Sequence, residues 1–185
     1  MKISAIRLWS RLSAMMFVIF TSLAAAATVD TAKSQITATF RQMNVPVAGR
    51  FNKFSGSIDF NPKNPSAGRA RIEIDTASFD LDAPEYSEEL RKKEWFDTAT
   101  YPKAVFTSSS VAVVGNHFEA KGKFTLKSKT EDIKIIFTQR VDHGASVYEG
   151  ELPISRKTYS IGSAEWDSTL EDKVIVKFRI VTPAK

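Results

Sequence analysis

Apolar residues recur at every second position in a series of short segments along this chain, most clearly at 56–60, 69–75 and 174–180. A period of two residues is that of a β-strand with one face in the core and the other in water. Turn-forming residues separate the segments, among them Gly115 and Asn116. The pattern predicts eight strands, over roughly 34–42, 49–61, 69–78, 103–113, 117–127, 130–140, 146–155 and 173–182.

The stretch 82–96 interrupts the alternation and predicts one short helix between the third and fourth strands. Asp82 is placed to cap the first turn, and Pro84 falls in that turn, where its missing N–H costs nothing. Apolar residues in this stretch are few, so we expect the helix to lie across an opening rather than inside a core. The charge pairs expected at a spacing of four residues are Glu88–Lys92 and Glu89–Lys93.

Short strands at regular spacing with turn residues between them are typical of a sandwich or a barrel. Eight strands can close into a barrel whose interior is either packed with side chains or holds one small ligand. We therefore predict an all-β fold, an eight-stranded antiparallel barrel that carries the short helix.

The first 27 residues have the composition of a secretory signal peptide rather than of a folded element. Three basic residues precede an apolar stretch at 12–23, and four alanines follow at 24–27. We expect cleavage after Ala27, which makes 28–185 the mature domain and the periplasm its location. The alternative is an uncleaved membrane anchor, although the apolar stretch is shorter than the roughly 20 residues of a comfortable span.

Removal of the leader changes the charge of the chain. The full chain has 26 basic and 21 acidic residues, and the leader contains three basic residues and no acidic ones, which leaves 23 against 21 and a net charge of +2. This small excess gives no reason to expect nucleic-acid binding. The chain has no cysteine, which excludes disulfides, thiolate metal sites and cysteine-based catalysis.

Titratable residues give no positive argument for catalysis or for a metal site. His117 and His143 each lie in or beside a predicted turn, without a partner at ligand spacing. Asp80 and Asp82 stand two residues apart at a strand exit, where an acid–base pair or a cation site is one reading and helix capping is the other. We predict no enzyme activity, no metal and no obligatory cofactor.

What the sequence does offer is apolar volume. The chain has 13 phenylalanines, most of them at alternating strand positions. Either these rings fill the barrel, or they line an apolar pocket with few polar anchors. A pocket of that kind suits a long hydrocarbon, because each buried methylene contributes about 0.8 kcal/mol without any polar contact.

Five motifs in order resemble the YceI-like polyisoprenoid-binding family. They are an opening strand, a V-x-G-x-F-x-x-F-x-G stretch, a helix followed by F-D and Y-P-x-x-x-F, a G-x-L-T-I-like strand and an R-x-x-Y-x-I-G motif. In this chain they lie at 30–36, 47–56, 89–106, 122–126 and 156–162.

The resemblance implies a lipocalin-like barrel without catalysis that holds an isoprenoid lipid, either a polyprenyl phosphate or an isoprenoid quinone, in its interior. Lys33 and one of Glu88 and Glu89 stand where the family often has histidine, and Ser128 stands where it often has glycine. These departures concern the head group of the ligand and leave the apolar channel unaffected.

We predict that the ligand contacts inward side chains of the strands together with residues of the helix and of the last connection. Arg156 is either a contact for the head group or a salt bridge at the barrel end. The predicted binding residues are Ile72, Ile74, Leu90, Trp95, Phe96, Phe106, Phe124, Leu126, Ile135, Phe137, Ile154, Arg156, Trp166, Phe178 and Ile180.

Two other functions stay open at this point. One is an enzyme that acts on an apolar substrate near Asp80, Asp82 or His117, and the other is a structural or stress protein with a filled core. The expected partner is the isoprenoid lipid, with transient rather than stable membrane contact, and the chain is expected to be a monomer or a homodimer.

Overall fold

The computed structural model describes residues 26–184, so the predicted signal peptide lies outside the described residues except for Ala26 and Ala27. The domain boundary at 27/28 therefore stays a prediction. The strands are β1 (Ala27–Thr28), β2 (Gln35–Gln42), β3 (Val45–Phe51), β4 (Phe54–Asp59), β5 (Arg69–Asp75), β6 (Phe79–Asp80), β7 (Lys103–Val114), β8 (His117–Leu126), β9 (Lys129–Asp142), β10 (Ala145–Ser155) and β11 (Lys173–Pro183).

All of these strands belong to one curled antiparallel sheet, in the order β1-β4-β5-β7-β8-β9-β10-β11-β2-β3-β6. The predicted all-β class with one short helix is confirmed. The predicted number of eight strands is wrong, because the sheet has 11. Two of the additional strands, β1 and β6, have only two residues each and are too short to show an alternating pattern.

The third additional strand arises because the predicted strand 49–61 is divided into β3 and β4. The break lies at Asn52 and Lys53, whose backbone N–H groups bond to the carbonyl oxygen of Ser78 at 3.1 Å and to its Oγ at 3.0 Å. The inward side chains have odd residue numbers in β3, such as Val47, and even residue numbers in β4, such as Ile58. The break therefore lets both Phe51 and Phe54 face the interior.

The N-terminal segment links two strands that are far apart in the sheet order. Val29 donates its backbone N–H to Gly56 of β4 at 3.0 Å, and Asp30 donates to Val181 of β11 at 2.8 Å. The chain also joins β3 to β4 directly through residues 52 and 53. These connections hold the sheet in its curled form around an apolar interior.

The helix α1 (Pro84–Leu90) is shorter than the predicted stretch 82–96. The chain turns after Leu90, and Trp95 and Phe96 both become buried against the interior. The predicted cap is wrong as well: Asp82 has a φ of 57° and its carboxylate bonds to Arg50 at 2.8 Å. The predicted charge pairs are replaced by pairs at a spacing of three residues, Glu88–Arg91 and Glu89–Lys92.

The two ends of the curled sheet are built differently. At one end lie α1, the β2–β3 turn and a 3₁₀ helix, Ala164–Ser168, in the β10–β11 connection. At the other end lie the β7–β8 and β9–β10 turns and a second 3₁₀ helix, Pro65–Ala67, in the β4–β5 connection. Within residues 26–184, no helix is long and apolar enough to cross a membrane.

Candidate ligand-binding cavity

The inward side chains of the sheet enclose a cavity of about 600 Å³. Its wall consists mostly of aliphatic and aromatic side chains from β2 to β11 and from α1. The interior is therefore not filled, contrary to the alternative of a packed core. The polar and charged residues on the wall, apart from tyrosine and tryptophan, are Gln42, Arg69, Thr76, Glu89 and Arg156.

The wall includes every one of the residues that the sequence predicted to contact a ligand. Their contact with a ligand stays a prediction, whereas their place on the wall is a feature of the fold. The fifteen are Ile72, Ile74, Leu90, Trp95, Phe96, Phe106, Phe124, Leu126, Ile135, Phe137, Ile154, Arg156, Trp166, Phe178 and Ile180.

Sequence reasoning missed the part of the wall that β2, β3 and the residue directly after β4 supply. Ile36, Phe40, Val47, Phe51 and Phe60 all line the cavity. Their alternation was visible in the sequence, but the parity of β3 and β4 changes between Phe51 and Phe54. A single predicted strand over 49–61 could not place both halves correctly.

The mouth of the cavity lies between α1, the β2–β3 hairpin and the 3₁₀ helix Ala164–Ser168. Gln42 and Tyr86 line the cavity and are also exposed to solvent, Tyr86 to 67%. Leu90 and Trp166 line the same region from the other two sides. The expectation that the helix lies across an opening agrees with this arrangement.

Two tryptophans pack against each other beside the mouth. The ring centroids of Trp95 and Trp166 are 5.1 Å apart, with the planes inclined by 56°. The indole N–H of Trp166 donates to Oε1 of Glu94 at 2.8 Å, and the hydroxyl of Ser163 donates to the same oxygen at 2.7 Å. These hydrogen bonds lower the pKa of Glu94, that from Ser163 most strongly. Glu94 thereby fastens the 3₁₀ helix to the segment that follows α1.

The Nε1 atom of Trp95 has no hydrogen-bond partner among the described residues, although it is buried. Gly162 packs closely on the Trp95 ring, since a Cβ atom there would approach Cζ3 of Trp95 to 3.0 Å. A buried donor without a partner costs free energy. Packing against Trp166 and the apolar wall must therefore hold this ring in place.

Arg156 lies on the cavity wall just after β10, at the same end as the mouth, and is only 2% exposed. Its guanidinium donates to the carboxylate of Asp167 at 2.7 Å and to the backbone carbonyl oxygens of Leu170 at 3.0 Å, Ile161 at 3.1 Å and, through Nε, Glu171 at 3.1 Å. Asp167 also pairs with Lys157, and the hydrogen bonds from Lys157 and then Arg156 lower the pKa of Asp167. Of the two sequence readings for Arg156, the geometry corresponds to the salt bridge at the barrel end.

The acidic and histidine residues considered for catalysis lie off the cavity wall. Asp80 accepts from Asn52 at 3.1 Å and lies 3.6 Å from Arg50. The pKa of Asp80 is lowered, first by the backbone N–H of Asp82 and next by Asn52. His117 begins β8 at the opposite end from the mouth. Among residues 26–184, no three His, Asp or Glu side chains are grouped so that they could hold a metal ion.

A family model described as the YceI-like domain matches residues 28–182. The chain belongs to the YceI-like family. Protein YceI of Escherichia coli O157:H7 is 36% identical over 87 residues, which are 47% of this chain and 46% of that protein. The chain thus spans about half the length of the curated relatives that it matches.

Solved structures of similar proteins cover more of the fold. The crystal structure of Burkholderia cenocepacia BcnA has a TM-score of 0.81 and 40% identity, over 83% of this chain and 99% of that one. A polyisoprenoid binding domain from Saccharophagus degradans, implicated in plant cell wall breakdown, has a TM-score of 0.68 and 20% identity, over 87% of this chain and 100% of that one. The likeness to the Saccharophagus degradans domain shows that this chain has the same fold as that domain.

Proposed function

We propose that this protein binds an isoprenoid lipid in its cavity and carries or stores the lipid away from water, as a lipocalin-like container. The observation that carries the proposal is an apolar cavity of about 600 Å³. Sites for small organic molecules have volumes of about 300–1,000 Å³ and apolar walls with few polar groups. The family match and the polyisoprenoid binding domain among the structural neighbours support the same class of ligand.

Among isoprenoid lipids, the charges on the wall favour a head group without charge, such as a quinone, over a polyprenyl phosphate. The guanidinium of Arg156 is already paired with Asp167, and that of Arg69 donates to the carbonyls of Ser66 and Gly68 at 3.2 and 2.7 Å. The carboxylate of Glu89 on the wall is paired with Lys92 and offers a phosphate no attraction. The side-chain amide of Gln42 at the mouth could donate a hydrogen bond to a quinone carbonyl.

The same placement of charged groups favours binding over catalysis. Asp80, Asp82 and His117 are not on the cavity wall, so an apolar molecule inside would not meet them. We therefore propose a carrier or store rather than an enzyme that acts on the bound lipid.

The direct test is to purify the protein from its native host, extract it with organic solvent and identify the bound lipid by mass spectrometry. We expect about one isoprenoid molecule per chain, with quinones ahead of polyprenyl phosphates. Recovery of no isoprenoid, together with no uptake of added isoprenoid quinone, would contradict the proposal. Preferential uptake of polyprenyl phosphate would contradict only the inference about the head group.

Substitutions at two neighbouring positions of β9 distinguish lipid binding in the cavity from lipid binding on the outer surface. Ile135 lines the cavity, whereas Lys134 is exposed. Ile135→Glu places a carboxylate on the apolar wall, which should abolish lipid uptake because burial of an unpaired charge is costly. Lys134→Glu places the same carboxylate in water and should leave uptake unchanged. Equal uptake by both variants would show that the lipid binds elsewhere.

We also propose that the protein is exported to the periplasm and that residues 1–27 are removed. Mass spectrometry of the protein from the periplasmic fraction should give an N-terminus at Thr28. A chain that retains the leader in a membrane fraction would favour the anchor instead. The choice between monomer and homodimer stays a prediction, which light scattering in solution can test.

A further inference from the structure

The end of the cavity opposite the mouth contains a connected group of four aromatic rings, which we call the end cluster. Phe60 lies at the centre, with ring centroids 4.9 Å from Phe118, 5.6 Å from Phe137 and 6.0 Å from Tyr148. All three contacts are edge-to-face, with interplanar angles of 72–78°. Edge-to-face packing of this kind is favourable beyond the burial of area alone.

Neighbouring elements hold the end cluster in place. Phe118 and Phe137 are directly opposite each other in the β8–β9 pairing, so their positions are fixed by the ladder. Phe60 follows the end of β4, where the β4–β5 connection folds over it. The backbone of Gly68 in that connection packs so closely on the Phe60 ring that a Cβ atom there would lie 3.0 Å from Cδ2 of Phe60.

The end cluster also forms the last part of the wall. Phe60, Phe137 and Tyr148 line the cavity, whereas Phe118 is not part of the wall. All three lining residues are less than 9% exposed. A chain that enters at the mouth therefore meets these three aromatic rings at the far end, where the exposed residue Arg69 also lines the cavity.

We propose that the end cluster limits the length of isoprenoid chain that the cavity buries, and that Phe60 is the residue that sets this limit. The proposal rests on the proposed function, because it specifies which members of the isoprenoid class bind best. Each carbon that the cavity buries should raise affinity about fourfold. Once the chain reaches Phe60, further isoprene units remain outside the mouth and add no affinity.

Phe60 sets the limit because its removal opens space without breaking a strand pairing. It lies just beyond the last paired residue of β4, Asp59, whereas Phe137 lies within two ladders. Loss of the Phe60 ring leaves a void lined by Phe118, Phe137 and Tyr148, continuous with the cavity. An additional part of the chain can then enter that void.

The test uses a series of isoprenoid quinones that share one head group and differ only in the number of isoprene units. Binding is followed by quenching of Trp95 and Trp166, both of which line the cavity near the mouth. For the unmodified protein, affinity should rise with each unit and then reach a plateau. For Phe60→Ala, the plateau should begin at a longer chain, and the longest quinones should bind at least fourfold more tightly relative to the short ones.

The matched control is Phe51→Ala, which removes a ring from the wall at the other end. Phe51 packs on Phe79 and Phe96, with centroids 4.7 and 6.2 Å away, and not on the end cluster. This variant should weaken all members of the series without moving the plateau. If Phe60→Ala does not fold, the plateau is measured for Phe60→Leu instead. This variant keeps an apolar side chain at position 60 but removes the aromatic ring.

The outcomes separate this proposal from the proposed function. If no quinone binds the unmodified protein, the proposed function fails. If quinones bind but Phe60→Ala and Phe60→Leu keep the original plateau, or if Phe51→Ala moves it equally, the end cluster does not limit length. A plateau that moves only in the Phe60 variants supports the proposal.

Discussion

Nη2 of Arg156 and Oδ1 of Asp167 lie 2.7 Å apart, with the arginine side chain 2% exposed and the aspartate 39% exposed. Because the same guanidinium also bonds to three backbone carbonyls of the β10–β11 connection, it ties that connection to the cavity wall beside the mouth. Arg156→Ala leaves those buried carbonyls without their donor and should lower the free energy of unfolding by about 3 kcal/mol.

Chemical denaturation measures this loss, and Lys157→Ala is its control. Lys157 also pairs with Asp167, at 2.8 Å, but its side chain is 49% exposed. Exposed ion pairs contribute little, so the control should show almost no change. Similar losses in both variants would mean that the charge of Asp167, rather than the buried hydrogen bonds of Arg156, stabilises the connection.

Acid should loosen the 3₁₀ helix beside the mouth. Hydrogen bonds from Ser163 and Trp166 hold the pKa of Glu94 below its ordinary value of 4.5. A lowered folded-state pKa stabilises the fold above the unfolded pKa, and this contribution is lost as the pH falls through the folded value. We therefore expect faster amide exchange over residues 163–168, and a change in tryptophan emission, as the pH drops below about 4.5.

Glu94→Gln separates this effect from general acid unfolding. The glutamine oxygen still accepts hydrogen bonds but does not titrate in this range. The variant should therefore lose the part of the acid response that is confined to residues 163–168. An unchanged response would assign it to other carboxylates, such as Asp167.

Gly162 should tolerate substitution less well than Gly115, although both have positive φ, at 76° and 60°. A Cβ atom at Gly115 has no neighbour within 4 Å, so Gly115→Ala should cost about 1 kcal/mol for the left-handed backbone alone. At Gly162 the Cβ would also press on Trp95 at 3.0 Å. Gly162→Ala should therefore be less stable than Gly115→Ala by about 1–3 kcal/mol, with a shifted tryptophan emission. Equal thermal unfolding of the two variants would show that the Trp95 ring moves aside freely.

A buried serine compensates for an irregularity in the sheet. The β7–β8 register shifts between Ser108 and Ser110, and the Oγ of Ser108 accepts the backbone N–H of Ala70 at 2.7 Å. Ser108→Ala leaves that N–H without this acceptor and should cost about 1–3 kcal/mol. Ser110→Ala on the exposed side is the control and should be nearly neutral. Exchange of the Ala70 amide, which should accelerate only in the first variant, gives a local readout.

The alternating pattern was sufficient to predict the long strands because each has one face in the apolar interior. It placed β7, β8 and β11 within a few residues of their observed bounds. It also placed the inward residues of these strands on the correct face, and they form much of the cavity wall.

Other features depend on contacts between distant parts of the chain. The break at Asn52 requires Ser78, which comes 26 residues later, and β1 and β6 are too short to have a period. Asp82 does not cap the helix because Arg50, which is remote in sequence, binds its carboxylate. The role of Arg156 likewise depends on carbonyls that the fold brings together, and no local pattern indicates them.

If the end cluster stops the lipid as proposed, lipid enters and leaves the container only through the mouth. A lipid held there must leave by the route through which it entered, with its tail last to be released. Such a protein cannot act as a conduit between two membranes that it touches at once. It would work as a shuttle, which presents the same mouth first to the donor and then to the acceptor, and the rate of transfer would depend on how often it meets each of them.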